Sequence, residues 1–150
     1  MACSPELFQA TAHYPSGNTF SALIPNQTGF ELALIAGVKH MAFICAASDQ
    51  FCRKNMNCSF NEAIDRAQKL AVQAEQKNIP YRVYISCAFY DPWSGLVSLE
   101  RLRRIVQSFP SCESLVFADT TGVATKEQIR QLCPSLKDIL HRDKIALHLH

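Results

Sequence analysis

Lys144-Ile-Ala-Leu-His-Leu-His150 brings two histidines into a His-x-His pair. Side chains of a β-strand alternate between its faces, so His148 and His150 on one strand project from the same side. Two neutral imidazoles on one face make a metal chelate, and imidazole suits Mn²⁺ or Co²⁺ better than Mg²⁺. The bland alternative is a chance His-x-His spacing. Asp119 is the second residue of interest. It follows an apolar run and precedes Thr120-Thr121-Gly122, a setting where an aspartate also serves as a plain helix N-cap.

Strands must position these groups. Apolar runs of strand length recur at 19–25, 40–47, 81–88, 114–120 and 144–150. They are nearly continuous in hydrophobicity rather than cleanly alternating, as in parallel sheets covered on both faces. Helical patterns fill the gaps. The segment 29–37 closes on Gly37, a good residue just past a helix end. The segment 59–80 opens with Ser59 and Glu62, a capping box, and carries one apolar stripe from Phe60 to Ala74. The segment 98–110 turns Leu99, Leu102, Ile105, Val106 and Phe109 inward. The segment 125–140 opens with Thr125 and Gln128, and Pro134 is expected to kink or split it.

Strands alternating with helices give right-handed βα units and a parallel sheet. The architecture is either an open doubly wound sheet or part of a (β/α)8 barrel. No Gly-rich phosphate loop follows any strand. Polar residues gather where strands end: Asn26, Ser48, Asp49, Ser86, Cys87, Asp119, Thr120, His148 and His150. In a barrel that rim is where active sites form, so the pattern predicts an α/β fold, a partial (β/α)8 TIM barrel of parallel strands, as one domain over 1–150.

Composition narrows the function. The chain has 150 residues, 48% of them hydrophobic, enough for a core. Its 15 Lys and Arg oppose 13 Asp and Glu, and only Arg101, Arg103 and Arg104 cluster, so no nucleic-acid partner is expected. No apolar run reaches the roughly 20 residues of a membrane helix. "MACSPELFQATAHYPSG" has neither the basic start nor the apolar stretch of a secretory signal, and without arginine it is a poor transit peptide. The seven cysteines are odd in number and form no C-x-x-C pair. Reduced thiols in an intracellular, soluble protein, cytoplasmic or mitochondrial, are therefore expected.

The blocks "PNQTGFELALIAG", "AASDQFCRKNMNCSFNEA", "YRVYISCAFYDPWSG", "ADTTGVAT" and "HLH" occur in order. Together they resemble 3-hydroxy-3-methylglutaryl-CoA lyase, a TIM-barrel enzyme of the metal-dependent lyase and pyruvate-carboxyltransferase-like superfamily. The N-x-N-C-S and Y-x-S-C blocks mark the lyase branch; D-T-x-G and H-x-H are shared more widely. Two positions depart from the family pattern: Ala118 stands where glycine is usual, and "FYDPWSG" replaces a Gly-Cys-Pro-Tyr segment.

The resemblance implies a retro-Claisen cleavage of 3-hydroxy-3-methylglutaryl-CoA to acetyl-CoA and acetoacetate, as in leucine and ketone-body metabolism. It implies a divalent cation, Mg²⁺ or Mn²⁺, with His148 and His150 as ligands. Asp119 would act in proton transfer or substrate positioning, and Asn55 and Tyr84 would lie near an acyl-CoA substrate. Read from the residues alone, Asn55 is equally a left-handed turn residue and Tyr84 equally a core residue. Arg82 and Ser86 share the strand face of Tyr84, while Cys87 points away and packs.

The resemblance covers about strands three to seven of eight. It leaves out the family's Arg-Asp-Gly first strand, the acid of its second, its loop cysteine and its metal-binding asparagine. A whole barrel needs roughly 250 residues. The alternative function is thus a catalytically inactive remnant that binds metal or a partner. Open edges around 19–25 and 144–150 are expected to leave the chain marginally stable, self-associating as a homo-oligomer, or dependent on a complementing fragment.

Overall fold

A computed structural model describes residues 4–11 and 19–150. Cys3 and, of the segment 1–17 considered above as a leader, residues 1–3 and 12–17 lie outside the described residues. The elements run α1 (Ser4–Thr11), β1 (Ser21–Leu23), α2 (Gln27–Ile35), β2 (His40–Ala46), α3 (Asp49–Phe51), a π-helical turn (Cys52–Met56) and α4 (Phe60–Gln76). They continue with β3 (Tyr81–Ser86), the small strands β4 (Tyr90–Asp91) and β5 (Gly95–Leu96), α5 (Leu99–Gln107), β6 (Ser114–Ala118), α6 (Lys126–Leu136) and β7 (Ile145–His148).

Five strands form one sheet in the order β1-β2-β3-β6-β7, and every pairing is parallel. Spatial order follows chain order, with no reversal. Right-handed crossovers along such a sheet all fall on one face. The helices therefore cover one side, and the other side becomes the inner surface of a barrel sector. A doubly wound sheet would reverse direction part-way and place helices on both faces.

Burial agrees with this two-sided arrangement. Met41, Phe43 and Cys45 of β2, Val83 and Ile85 of β3, and Leu115 and Phe117 of β6 are all 0% exposed. They share one strand parity and join one core with Ile64, Leu70 and Ala74 of α4, Ile105 of α5 and Leu136 of α6. The opposite parity builds the inner surface. Register sets Leu23 beside Ala42, Arg82 and Ser114 in one row, and Ile44 beside Tyr84, Val116 and Ala146 in the next. Ala118 and His148 pair above them.

Local signals explain the helix boundaries. Ser59 and Glu62 close a reciprocal capping box on α4, and Thr125 and Gln128 do the same on α6. Each such cap satisfies two donors that a helix start leaves orphaned. Asn26 accepts from Gly29 N, so α2 starts two residues before the expected 29. Pro134 neither kinks nor splits α6 in its middle. It lies in the last turn, where it withdraws a donor from the Arg130 carbonyl, and the helix stops at Leu136 rather than 140. Leu99, expected inward, is exposed at the first position of α5.

At the N-terminal end of the sheet, buried His40 joins three segments. Its Nδ1 lies 2.8 Å from Ser21 Oγ and its Nε2 2.8 Å from Glu113 Oε2. A neutral imidazole serves both, accepting the hydroxyl proton at Nδ1 and donating from Nε2 to the carboxylate.

Candidate active site

The C-terminal ends of the strands open onto a cleft of about 420 Å³, whose wall includes Ile44, Tyr84, Ser86, Thr120, His148 and His150. Period-two geometry carries the two histidines to the same side. His148 Nε2 and His150 Nε2 are 3.1 Å apart, and their ring centroids are 4.9 Å apart. Two imidazole nitrogens held about 2.1 Å from one ion, at about a right angle, lie about 3 Å from each other. The observed separation therefore fits a shared cation as well as it fits a hydrogen bond between the rings. Tyr84 meets His148 edge-on, with centroids 6.2 Å apart, so its ring faces the cleft rather than the helical core. Among the described residues, no group of three or more His, Cys, Asp or Glu side chains is gathered for one ion.

Asp119 is 3% exposed, and both carboxylate oxygens accept from backbone. Val123 N donates to Oδ1 at 3.0 Å and Ala124 N to Oδ2 at 3.1 Å. Its own N–H donates to the His148 carbonyl at 2.9 Å. The residue thus ties the β6 loop to the histidine strand instead of lining the cleft. Gly122 is a left-handed position within that loop, with φ +69. A Cβ placed there would come 3.6 Å from His150 Cβ.

Asn55 sits elsewhere. It lies in the π turn, donates from Nδ2 to Phe51 O at 3.3 Å, and lines a neighbouring apolar cavity. The left-handed residue of this turn is Asn57, at φ +49, rather than Asn55. The structure therefore groups Tyr84, His148 and His150 in one cleft, sets Asp119 beneath its rim, and leaves Asn55 to one side.

Cys87 closes β3 and is fully buried at φ +53, with its N–H donating to Thr120 Oγ1 at 2.8 Å. Burial pushes its thiol up, so it stays protonated and packs. Beside the cleft, Lys54 Nζ sits 4.4 Å over the Trp93 ring of the β4–β5 loop. Asp49 is bound by Arg101 at 2.8 Å, and this bond holds its carboxyl below the usual range. Arg101 also donates to Ala47 O, and Arg103 pairs with Asp138, which explains the basic cluster of α5 as ties between elements. The apolar cleft residues Leu23 and Ile44 escaped sequence reasoning; the parity they share with Tyr84 was the signal available.

A parallel sheet wound in one direction, with a histidine pair at the carboxyl end of its last strand, defines a sector of a (β/α)8 barrel. The HMGL-like family model matches residues 6–150, and the chain belongs to that family. It is 34% identical over its whole length to 3-hydroxy-3-isohexenylglutaryl-CoA/hydroxy-methylglutaryl-CoA lyase of Pseudomonas aeruginosa, covering 50% of that protein. It is 32% identical to the mitochondrial hydroxymethylglutaryl-CoA lyase of Macaca fascicularis, covering 46% of it. The crystal structure of the Bacillus subtilis HMG-CoA lyase superposes on all of the chain with a TM-score of 0.93 at 28% identity, over 51% of the Bacillus chain. The chain thus spans about half the length of the curated relatives it matches.

Proposed function

We propose that this chain supplies the central part of a 3-hydroxy-3-methylglutaryl-CoA lyase site, which cleaves its substrate to acetyl-CoA and acetoacetate. The observation that carries the reading is the imidazole pair, with Nε2 atoms 3.1 Å apart beside Tyr84 at the carboxyl end of a barrel sector. His148 and His150 would hold a divalent cation, Mg²⁺ or Mn²⁺. When bound, such an ion polarises the tertiary hydroxyl of the substrate and lowers its pKa. Tyr84 orients the substrate against His148. Asp119 serves proton transfer or positioning, and its two backbone bonds support the positioning role. Asn55 contacts the acyl-CoA from the side of the cleft.

A second reading is a remnant that binds metal or a partner without turnover. It is favoured by the half-length match and by a sheet whose two edges, β1 and β7, are open to a complementing fragment or a second copy. Exposed Leu23, Leu147 and Leu149 support that association. The proposed location is intracellular, cytoplasmic or mitochondrial; among the described residues no helix is long and apolar enough to cross a membrane.

Acetyl-CoA release from 3-hydroxy-3-methylglutaryl-CoA, with Mg²⁺ or Mn²⁺ present, separates the readings. Turnover that His148→Ala abolishes supports the lyase. Saturable Mn²⁺ binding by paramagnetic resonance, lost in His148→Ala and His150→Ala but without turnover, supports the remnant. Mn²⁺ binding unchanged in both variants refutes the metal role of the pair.

A further inference from the structure

Far from the histidine pair, at the amino end of the sheet, Ser21, His40 and Glu113 form a hydrogen-bonded chain. Ser21 opens β1, is exposed, and lines the same cleft as the pair. His40 is 2% exposed; its Nδ1 lies 2.8 Å from Ser21 Oγ and its Nε2 2.8 Å from Glu113 Oε2. The carboxylate takes the single N–H of a neutral imidazole, which leaves the Nδ1 lone pair facing the serine hydroxyl. A hydroxyl, a base within reach of it and a third group that orients the base make up the arrangement that activates serine for acyl transfer. It is recognised by geometry and roles rather than by fold or sequence position. The lyase reading uses none of these three residues.

We propose that Ser21, His40 and Glu113 are a second reactive site, one that hydrolyses carboxylic esters of short apolar acids through a Ser21 acyl intermediate. Ser21 Oγ bonds to the acyl carbon as its proton passes to His40 Nδ1. The adduct collapses, the bond from the acyl carbon to the alcohol oxygen breaks, and the proton on Nδ1 goes to that oxygen. Water then attacks the Ser21 ester with the same proton transfers, releasing the acid and restoring the hydroxyl. Glu113 is a positioning residue: it fixes the tautomer of His40 and stabilises the imidazolium that forms. Leu23, Ala42 and Ile44 line the cleft with Ser21 and favour a short apolar acyl chain. Ile24 N donates to Ala42 O at 2.8 Å, so strand alternation turns the N–H groups of Ser21 and Leu23 from β2 toward the sheet edge. Among the described residues no strand pairs with that edge, which leaves two backbone donors beside the nucleophile for a developing oxyanion.

Hydrolysis of 4-nitrophenyl acetate and butyrate by the full chain tests this, with EDTA present so that no metal takes part. The rate is expected to exceed that of free imidazole at the same concentration, and a fluorophosphonate probe is expected to label Ser21, read by peptide mass spectrometry. Ser21→Ala, a change at an exposed position, should bring hydrolysis back to the imidazole background and remove the label. His40→Gln should lower kcat by about 100-fold or more. Glu113→Gln should lower kcat at unchanged KM, and Glu113→Asp should recover part of it. Circular dichroism reports whether each variant folds; should His40→Gln unfold, the half-exposed Glu113 position decides the role of the imidazole. Hydrolysis no faster than free imidazole, or equally fast in Ser21→Ala, overturns the proposal. Labelling of Ser21 at the parent rate in folded His40→Gln or Glu113→Gln also overturns it, because the serine then reacts without its base.

Discussion

Thr120→Val tests how the rim of the cleft is held. Thr120 Oγ1 accepts the Cys87 N–H at 2.8 Å, and Cys87 is 0% exposed. Valine keeps the branched shape of threonine and removes only the acceptor. The orphaned N–H has no water to turn to, and a buried unsatisfied donor costs about 1–3 kcal/mol. Cys87 also stands at φ +53, a left-handed conformation that costs a residue with a Cβ about 1–2 kcal/mol. The hydrogen bond that Cys87 N–H donates to Thr120 helps hold it in that conformation.

The expected loss is therefore about 1–3 kcal/mol, a large share of the roughly 5–15 kcal/mol of a typical domain. Urea unfolding followed by circular dichroism should show a lower midpoint at unchanged slope. Cys87→Gly takes the left-handed conformation freely. Combined with Thr120→Val, it should lose about the sum of the two single changes, because glycine keeps the same backbone N–H and orphans it equally. A Thr120→Val midpoint within error of the parent refutes the reasoning.

Asp119→Asn keeps one acceptor for two backbone donors, and losing the charge-assisted bond should destabilise the chain by roughly 1.5–3 kcal/mol; faster amide exchange at Val123 or Ala124 checks it. Phe117→Ala opens a cavity in the core, where Phe117 is 0% exposed, and should cost about 3–5 kcal/mol by urea unfolding. Burial, assisted by nearby Cys58, pushes the Cys52 thiol from its ordinary value near 9 up to about 12. The folded chain then keeps a proton that the unfolded chain releases, so its contribution is fully present below about pH 9 and is lost as pH rises toward 12. Between pH 9 and pH 10 this single thiol should lower stability by about 1 kcal/mol, a decline that Cys52→Ala should lack.

The parallel sheet was legible because one face is buried under helices and the inner face is largely apolar as well, which turns β2 and β6 into nearly continuous apolar runs. The same logic overstated β1. An edge strand pairs on one side only, and Pro25 offers no donor, so the expected 19–25 shrinks to Ser21–Leu23. The π turn and the β4–β5 loop carried no periodic signal. Each is held by side-chain bonds instead: Asp49 accepts from Phe60 N across the π turn, and Asp91 accepts from Trp93 N and from Ser94 within its own loop. Pro134 misled because its effect depends on position, and in a last turn the carbonyl it strands was nearly free already.

The residues near the site divide by the kind of information that locates them. His148, His150 and Tyr84 share the cleft by strand parity and register, which a sequence displays directly. Asp119 follows the neighbouring strand on the parity of Leu115 and Phe117, which aims it away from the cleft, and two amides four and five residues later claim its carboxylate under the rim. Asn55 is displaced for a related reason, since the π turn adds a residue per turn and rotates it toward Phe51. The neighbouring cavity that Asn55 lines is less legible still, because its wall combines β1, β2, the π turn and α4, with sequence separations no local pattern records. The spacing of the two histidines is therefore a local property of the sequence, whereas the cavity beside the cleft is a property of the packing.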